Sequence, residues 1–404
     1  MHYRKFMLLM TLWLGLMASL ASSPTDSRYP SDFRQDRVVV KIVQGASVES
    51  LMARGGTRIL GQVAGTDNFS IEVPAGQTVE DLLAALNTDP DVVFAEPDYI
   101  LEAPEARQTS MAFVDEGSPA FRDTESPASY FAQTAYDQIS GPWARAHATG
   151  RGVMVAVIDT GVSLQHPALA GRFSPIGHDF LDNDEDATDE PGGVSSGHGT
   201  FVSGIIALAA PGAAIMPIRA LDIDGRGSAF DIARAIRFAV DHGAKVINMS
   251  FGMWAASTVM EEALRYAIER GVVGVAACGN DNTERVSQFP ANNPHVISTG
   301  AVDWRDHKAR FSNFGRYVKT SAPGENIYSA FLDDGFAFWS GTSFAVPFVA
   351  AEAALIWERF PYFGREEVEA RLLSTADDIN RSLGDELRNR LGVRANLLAA
   401  VSDE

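Results

Sequence analysis

The sequence predicts an α/β protein with a mostly parallel central sheet flanked by helices, preceded by a small α+β unit. Three observations lead there. Apolar runs such as 153–158, 215–220, 246–249 and 272–276 alternate with stretches of helical spacing across the last two-thirds of the chain. These runs are apolar but for Arg219 and Asn248, as strands buried on both faces are, and strand–helix alternation implies right-handed crossovers. A separate β-rich run, 38–43, occurs early, with its own helical stripe at Val79, Leu82, Leu83 and Leu86. At 404 residues, 46% hydrophobic and 21% charged, the chain has ordinary globular composition and ample length to bury a core.

Arg4 and Lys5 precede an apolar run over 6–20, and Ser19 and Ala21 sit before a cut near Ser22. A basic flank, a short apolar core and a small-residue site read as a secretory signal peptide, 1–21. The alternative is an uncleaved anchor, although the run is short for a membrane span. Residues 36–102 form the α+β unit: strands at 38–43, 69–73 and 92–94 and helices near 48–53 and 79–86. Residues 103–135, rich in Ser, Pro, Glu, Ala and Thr without periodicity, read as a flexible linker open to proteolysis. The α/β domain fills 136–404. Its helices are expected at 201–208, 232–239 and 259–268, with Gly243 stopping the second.

With 52 acidic against 33 basic residues, the net charge is −19. That disfavours nucleic acid and anionic membrane as partners, because phosphate binding needs a basic surface. A single cysteine, Cys278, excludes an intramolecular disulfide. It ends a buried strand pattern, which suits an inert small hydrophobe better than a nucleophile.

Ligand crevices in parallel sheets lie at the C-terminal ends of strands. Asp159 stands there, directly after 153–158, where a carboxylate can be held rigidly against an imidazole; a turn Asp before Gly161 is the plain alternative. His198 lies between Gly197 and Gly199 at the start of an apolar helical run, unlike His166 and His295, which adjoin prolines. Ser343, in Gly341-Thr342-Ser343, opens another helix, with Pro347 expected in its first turn. A helix N-terminus favours a developing anion, although an N-cap is the common use of such a serine. Asn280, at the end of the strand carrying Cys278, can extend its amide toward an oxyanion together with the Ser343 N–H.

Each signal is weak alone, but the order Asp, His, Ser is that of subtilisin. Val157-Ile158-Asp159-Thr160-Gly161-Val162, His198-Gly199-Thr200, Asn248-Met249-Ser250-Phe251-Gly252 and Gly341-Thr342-Ser343 resemble the successive signature blocks of subtilisin-like serine proteases. The resemblance runs from about 136 to 401 and implies the three-layer fold of that family. It also implies a monomeric serine endopeptidase with Asp159, His198 and Ser343 as triad and Asn280 as oxyanion donor, while the signal peptide implies a secreted or periplasmic location. The unit ending in Phe94-Ala95-Glu96-Pro97-Asp98-Tyr99 resembles the family's propeptide, an intramolecular inhibitor of an autoprocessed zymogen. By the same resemblance, Ser250 and Gly252 line one side of the substrate cleft, and Gly225 and Gly227 line the other. Ala277, Cys278 and Gly279 wall the pocket for the residue before the cut.

Four positions depart from the family pattern: Phe201 and Phe348 where His is common, Phe344 where Met is common, and Met253, often Gly, which narrows the pocket. No cofactor is expected for the chemistry. The acidic run 179–186 reads as a solvated loop, while the resemblance implies a structural calcium there with Asp179, Asp182 and Asp184 as ligands. Two rival functions remain to be weighed. An α/β-hydrolase esterase needs Gly-x-Ser-x-Gly around its nucleophile and the order Ser, Asp, His; here position 345 is Ala and the order is Asp, His, Ser. A non-catalytic relative would tolerate loss of a triad member, yet all are present.

Overall fold

The computed structural model describes residues 32–106, 121–123, 127–285 and 288–403. The signal peptide read at 1–21 and the middle of the predicted linker lie outside the described residues.

The first unit is an antiparallel sheet in the order β2-β3-β1-β4, with β1 Phe33–Ile42, β2 Ile59–Gln62, β3 Asn68–Glu72 and β4 Val92–Glu102. Strand periodicity explains why 38–43 is apolar except at Lys41. Val38, Val40 and Ile42 face the unit's own helices, Val48–Gly55 and Val79–Leu86, and pack on Leu51, Met52, Leu82 and Leu86. Val39 points the other way and joins a core cluster of the large domain. Both helices start at side-chain caps: Ser47 accepts from the Ser50 N–H and Thr78 from the Asp81 N–H.

The large domain is built on eight parallel strands in the order 393–394, 320–323, 297–302, 273–277, 246–249, 154–159, 214–219 and 178–179. Helices His198–Ala209 and Thr342–Arg359 pack in one apolar cluster. Helices Ala229–Asp241 and Thr258–Glu269 pack in a second cluster. The expected layered architecture is present, and it brings Asp159, Ser250 and Asn280 to one edge of the sheet as their strands end. Among the described residues no helix is long and apolar enough to cross a membrane.

The stretch read as linker, 103–135, carries structure at both ends. Helices Pro127–Phe131 and Thr134–Gln138 lie on the large domain, where Tyr130, Ala135 and Tyr136 are buried in its main cluster and the Tyr130 hydroxyl bonds Gly204 O. The short strand Phe121–Asp123 pairs with Phe336–Trp339. A few aromatic anchors order this stretch, a pattern too sparse to show as periodicity. At its other end, Pro104–Ala106 forms a single 3₁₀ turn.

The first unit docks on the large domain through β4. Ile100, Leu101 and Glu102 pair antiparallel with Ser228, Gly227 and Arg226. Two carboxylates of β4 reach helix starts. Glu96 accepts from Ser257 Oγ and the N–H groups of Thr258 and Val259 at 2.8–3.0 Å. Asp98, fully buried, accepts from the Phe230 N–H at 3.0 Å. Helix N-termini leave such donors unpaired and favour negative charge, which suits Glu96, whereas at Asp98 burial works against the charge and raises it from 3.8 to about 7. Lys41 adds an ion pair to Glu262 at 2.6 Å.

Candidate active site

Asp159 is the last residue of strand Met154–Asp159, and its carboxylate is fully buried. Its Oδ1 accepts from the Thr160 N–H at 2.8 Å and lies 2.6 Å from His198 Nδ1. His198 opens its helix behind Gly197, whose φ of +89° suits glycine. Gly199 is required by proximity, because a Cβ there would lie 2.1 Å from Gly161 O. The imidazole is walled by Trp339 and Phe344, with centroids at 5.6 and 5.4 Å. Burial disfavours its charged form, but the Asp159 carboxylate, with a further contribution from Glu105, outweighs burial and lifts His198 to about 10.

Ser343 is the second residue of helix Thr342–Arg359. Pro347 is the sixth residue, not part of the first turn as the sequence suggests. There it removes the N–H that would bond the Ser343 carbonyl. Ser250 Oγ supplies the missing donor, at 2.9 Å from Ser343 O, and is itself held by Asn248 Nδ2 at 2.9 Å. Ser343 Oγ lies 3.1 Å from Ser250 O. Asn280 is oriented by its carbonyl oxygen, which accepts from the Thr342 N–H and hydroxyl at 3.0 and 2.7 Å. Its Nδ2 is left free of Thr342 and donates to Glu105 Oε1 at 2.9 Å.

All eight site residues taken from the sequence meet in one cleft. Gly252 and Glu102 exchange backbone bonds at 2.9 and 3.1 Å, Gly225 O accepts from the Ala103 N–H at 2.8 Å, and Gly227 pairs with Leu101. The two glycine-bearing walls thus hold residues 100–103 as an added strand between them. Close packing fixes the glycines: a Cβ on Gly225 would meet Ser195 Oγ at 2.5 Å, and one on Gly252 would meet Gln288 Oε1 at 2.4 Å.

Three site residues carry no signal in the sequence. Glu105 reaches between the catalytic candidates. Its Oε2 is 2.7 Å from Ser343 Oγ and 3.3 Å from His198 Nε2, and its Oε1 accepts from Asn280 Nδ2 at 2.9 Å. Asp189, nine residues before His198, accepts from the Gly197 N–H, the Thr200 N–H and the Thr200 hydroxyl at 2.8–3.3 Å, fixing the start of the histidine helix. Burial pushes it up to about 7. Gln288 lies against Gly252 and Gly279, with Nε2 donating to Asp281 at 3.1 Å. All three sit in loops or turns, where no periodicity marks a side chain.

Comparison with known proteins now places the chain. Residues 150–393 match the model of the subtilase family, and residues 20–98 match that of the fervidolysin N-terminal prodomain. The chain belongs to the subtilase family. This subtilase is 38% identical over 314 residues to a thermophilic serine proteinase of Bacillus sp. (strain AK1), covering 75% of this chain and 72% of that one. It is 37% identical to thermitase of Thermoactinomyces vulgaris over 62% of this chain and 91% of thermitase. Among solved structures it resembles fervidolysin from Fervidobacterium pennivorans, a keratinolytic enzyme, with a TM-score of 0.73 and 26% identity. That match covers 94% of this chain but only 62% of fervidolysin. The chain is a serine protease of the subtilisin-like fold carrying an N-terminal prodomain.

The departures from the family pattern compensate one another. Phe201 and Phe344 are in ring contact at 4.6 Å, and both share their apolar cluster with Phe348. Met253 is buried in the second cluster with Phe289. Cys278 is fully buried, and burial pushes its thiol up to about 12, so it stays protonated.

The loop at 179–186 does not fit a cation. Asp179 Oδ2 and Asp182 Oδ2 bond Arg219 Nη1 at 2.6 and 2.9 Å, and Glu190 bonds Nη2 at 2.7 Å. Asp179 Oδ1 accepts from the Leu181 and Asp182 N–H groups, and Asp184 Oδ1 from that of Asp186. Among the described residues no group of three carboxylate, His or Cys ligands converges. The guanidinium thus pairs with Asp179 and Asp182, the two carboxylates of this loop that reach it.

Proposed function

We propose that this subtilase is a secreted or periplasmic endopeptidase, made as a zymogen and matured by its own cut between 101 and 136. Asp159, His198 and Ser343 form the triad. Ser343 Oγ attacks a peptide carbonyl while His198 Nε2 takes its proton. The C–N bond breaks, the leaving amine receives that proton, and water then releases the acyl group by the same route. Asp159, bonded to Nδ1, holds the tautomer and stabilises the imidazolium. Asn280 Nδ2 and the Ser343 N–H stabilise the tetrahedral oxyanion.

The observation that carries this reading is residues 100–103 lying paired between Gly225–Ser228 and Gly252, beside Ser343. A substrate bound as an added strand in that register presents its next residues to the nucleophile. The prodomain then acts as an intramolecular inhibitor, and the basic, apolar and small-residue order of 1–21 supports export. No cofactor takes part in these steps.

Hydrolysis of an unstructured polypeptide by the processed wild type, beside Ser343→Ala and Asp159→Asn, tests the assignment. Both variants are expected to lose turnover by several orders of magnitude with the fold intact. Wild-type turnover in Ser343→Ala would remove Ser343 from the role.

A further inference from the structure

The side chain of Glu105 occupies the place the chemistry reserves for a substrate. An acyl product leaves the site as a carboxylate, one oxygen at the oxyanion donor and the other at the nucleophile and its base. Glu105 has this arrangement, with Oε1 on Asn280 Nδ2 and Oε2 on Ser343 Oγ and His198 Nε2. The side chain is only 2% exposed. Its approach is so close that a Cβ on Gly341 would fall 1.7 Å from Oε1. The carboxylate is therefore enclosed, with partners on both oxygens, and is not a surface charge resting on the cleft mouth.

The backbone agrees. Pairing with the cleft runs to Ala103, whose N–H bonds Gly225 O. The chain then turns through Pro104–Ala106, closed by an Ala106 N–H bond to Ala103 O at 2.9 Å. The turn takes the main chain out of the extended path while the Glu105 side chain points at Ser343. While that side chain is seated, no main-chain carbonyl can take the position bonded to Asn280.

We propose that Glu105 is an internal product mimic that holds the zymogen shut, and that its departure gates the first cut. It acts in three ways: it fills the oxyanion position, it accepts the hydroxyl hydrogen of Ser343 in place of His198, and it pairs with the imidazole that would serve as base. The groups facing it are Asn280, Ser343 and His198, with Asp159 behind the imidazole.

This inference rests on Ser343 being the nucleophile, and one experiment separates the two. The uncut full chain is treated with a fluorophosphonate, which needs both a reactive serine and a free oxyanion position. Labelling of Ser343 is followed by intact mass on molecules that retain residues 32–106. Wild type, Glu105→Gln and Glu105→Ala are compared, with the processed enzyme alongside. The expected result is at least tenfold faster labelling of uncut Glu105→Ala than of uncut wild type, with Glu105→Gln between them. Equal rates for wild type and Glu105→Ala overturn the plug, as do equal rates for wild type and Glu105→Gln where the alanine variant does not fold. Failure of every form, the processed enzyme included, to label at Ser343 overturns the nucleophile assignment and the plug with it.

Discussion

Glu96 lies outside the cleft, yet it should set much of the prodomain's grip. Its two carboxylate oxygens meet three donors at the start of helix Thr258–Glu269: Ser257 Oγ and Val259 N–H on Oε1, Thr258 N–H on Oε2. A hydrogen bond to a charged group is worth about 1.5–3 kcal/mol net. A carboxylate at a helix N-terminus adds about 0.3–1 kcal/mol. Glu96 is only half-buried, so water recovers part of this when the side chain is removed. Glu96→Ala is therefore expected to weaken prodomain binding by about 2–3 kcal/mol, roughly 30- to 150-fold in dissociation constant. Glu96→Gln, which keeps an acceptor without the charge, should lose about half that energy and most of the salt dependence. The assay is inhibition of the processed peptidase by the separated prodomain at low and high ionic strength. A change under about threefold for Glu96→Ala would refute the reasoning, because the three donors would then be equally content with water.

Asp98 gives a pH dependence of known sign. Burial raises it from 3.8 to about 7 when docked, so docking takes up a proton across that window. The grip is full below it and is lost as pH rises through it. Inhibition constants at pH 4.5 and 7.5 should differ for wild type and converge for Asp98→Asn. Arg219→Met leaves Asp179, 1% exposed, without its counter-ion. A loss of about 3–5 kcal/mol is expected, read as a lowered melting temperature and partly restored by adding Asp179→Asn. Asn280→Ala should lower kcat of the processed enzyme by about 10²–10³ with little change in KM, measured by steady-state kinetics on a peptide.

The architecture was legible because buried parallel strands write themselves as largely apolar runs, and the runs ending at Asp159 and Cys278 also mark where the cleft must lie. Asp159, His198, Ser343 and Asn280 could be named because each stands near a strand end or helix start with glycine nearby, whereas Ser250, Gly252, Gly225 and Gly227 came from the family resemblance alone. Glu105 could not be found in this way, since its role comes from a single turn that aims one side chain back at Ser343. Asp189 was hidden for the same reason. Pro347 lies past the first turn although the helix starts within one residue of the place the sequence gives it, and there it leaves the Ser343 carbonyl to the Ser250 hydroxyl. At 179–186 the carboxylates suggested a cation because Arg219, which answers them, lies some thirty-five residues on in sequence, on the strand Ala214–Arg219.

The account stands on Ser343 performing the chain's own first cut. Intact-mass analysis of exported, purified wild type beside Ser343→Ala, each sampled over storage, tests this most directly. The prediction is that wild type loses about its first hundred residues while Ser343→Ala keeps them. Loss of the same segment at the same rate from both proteins would contradict it.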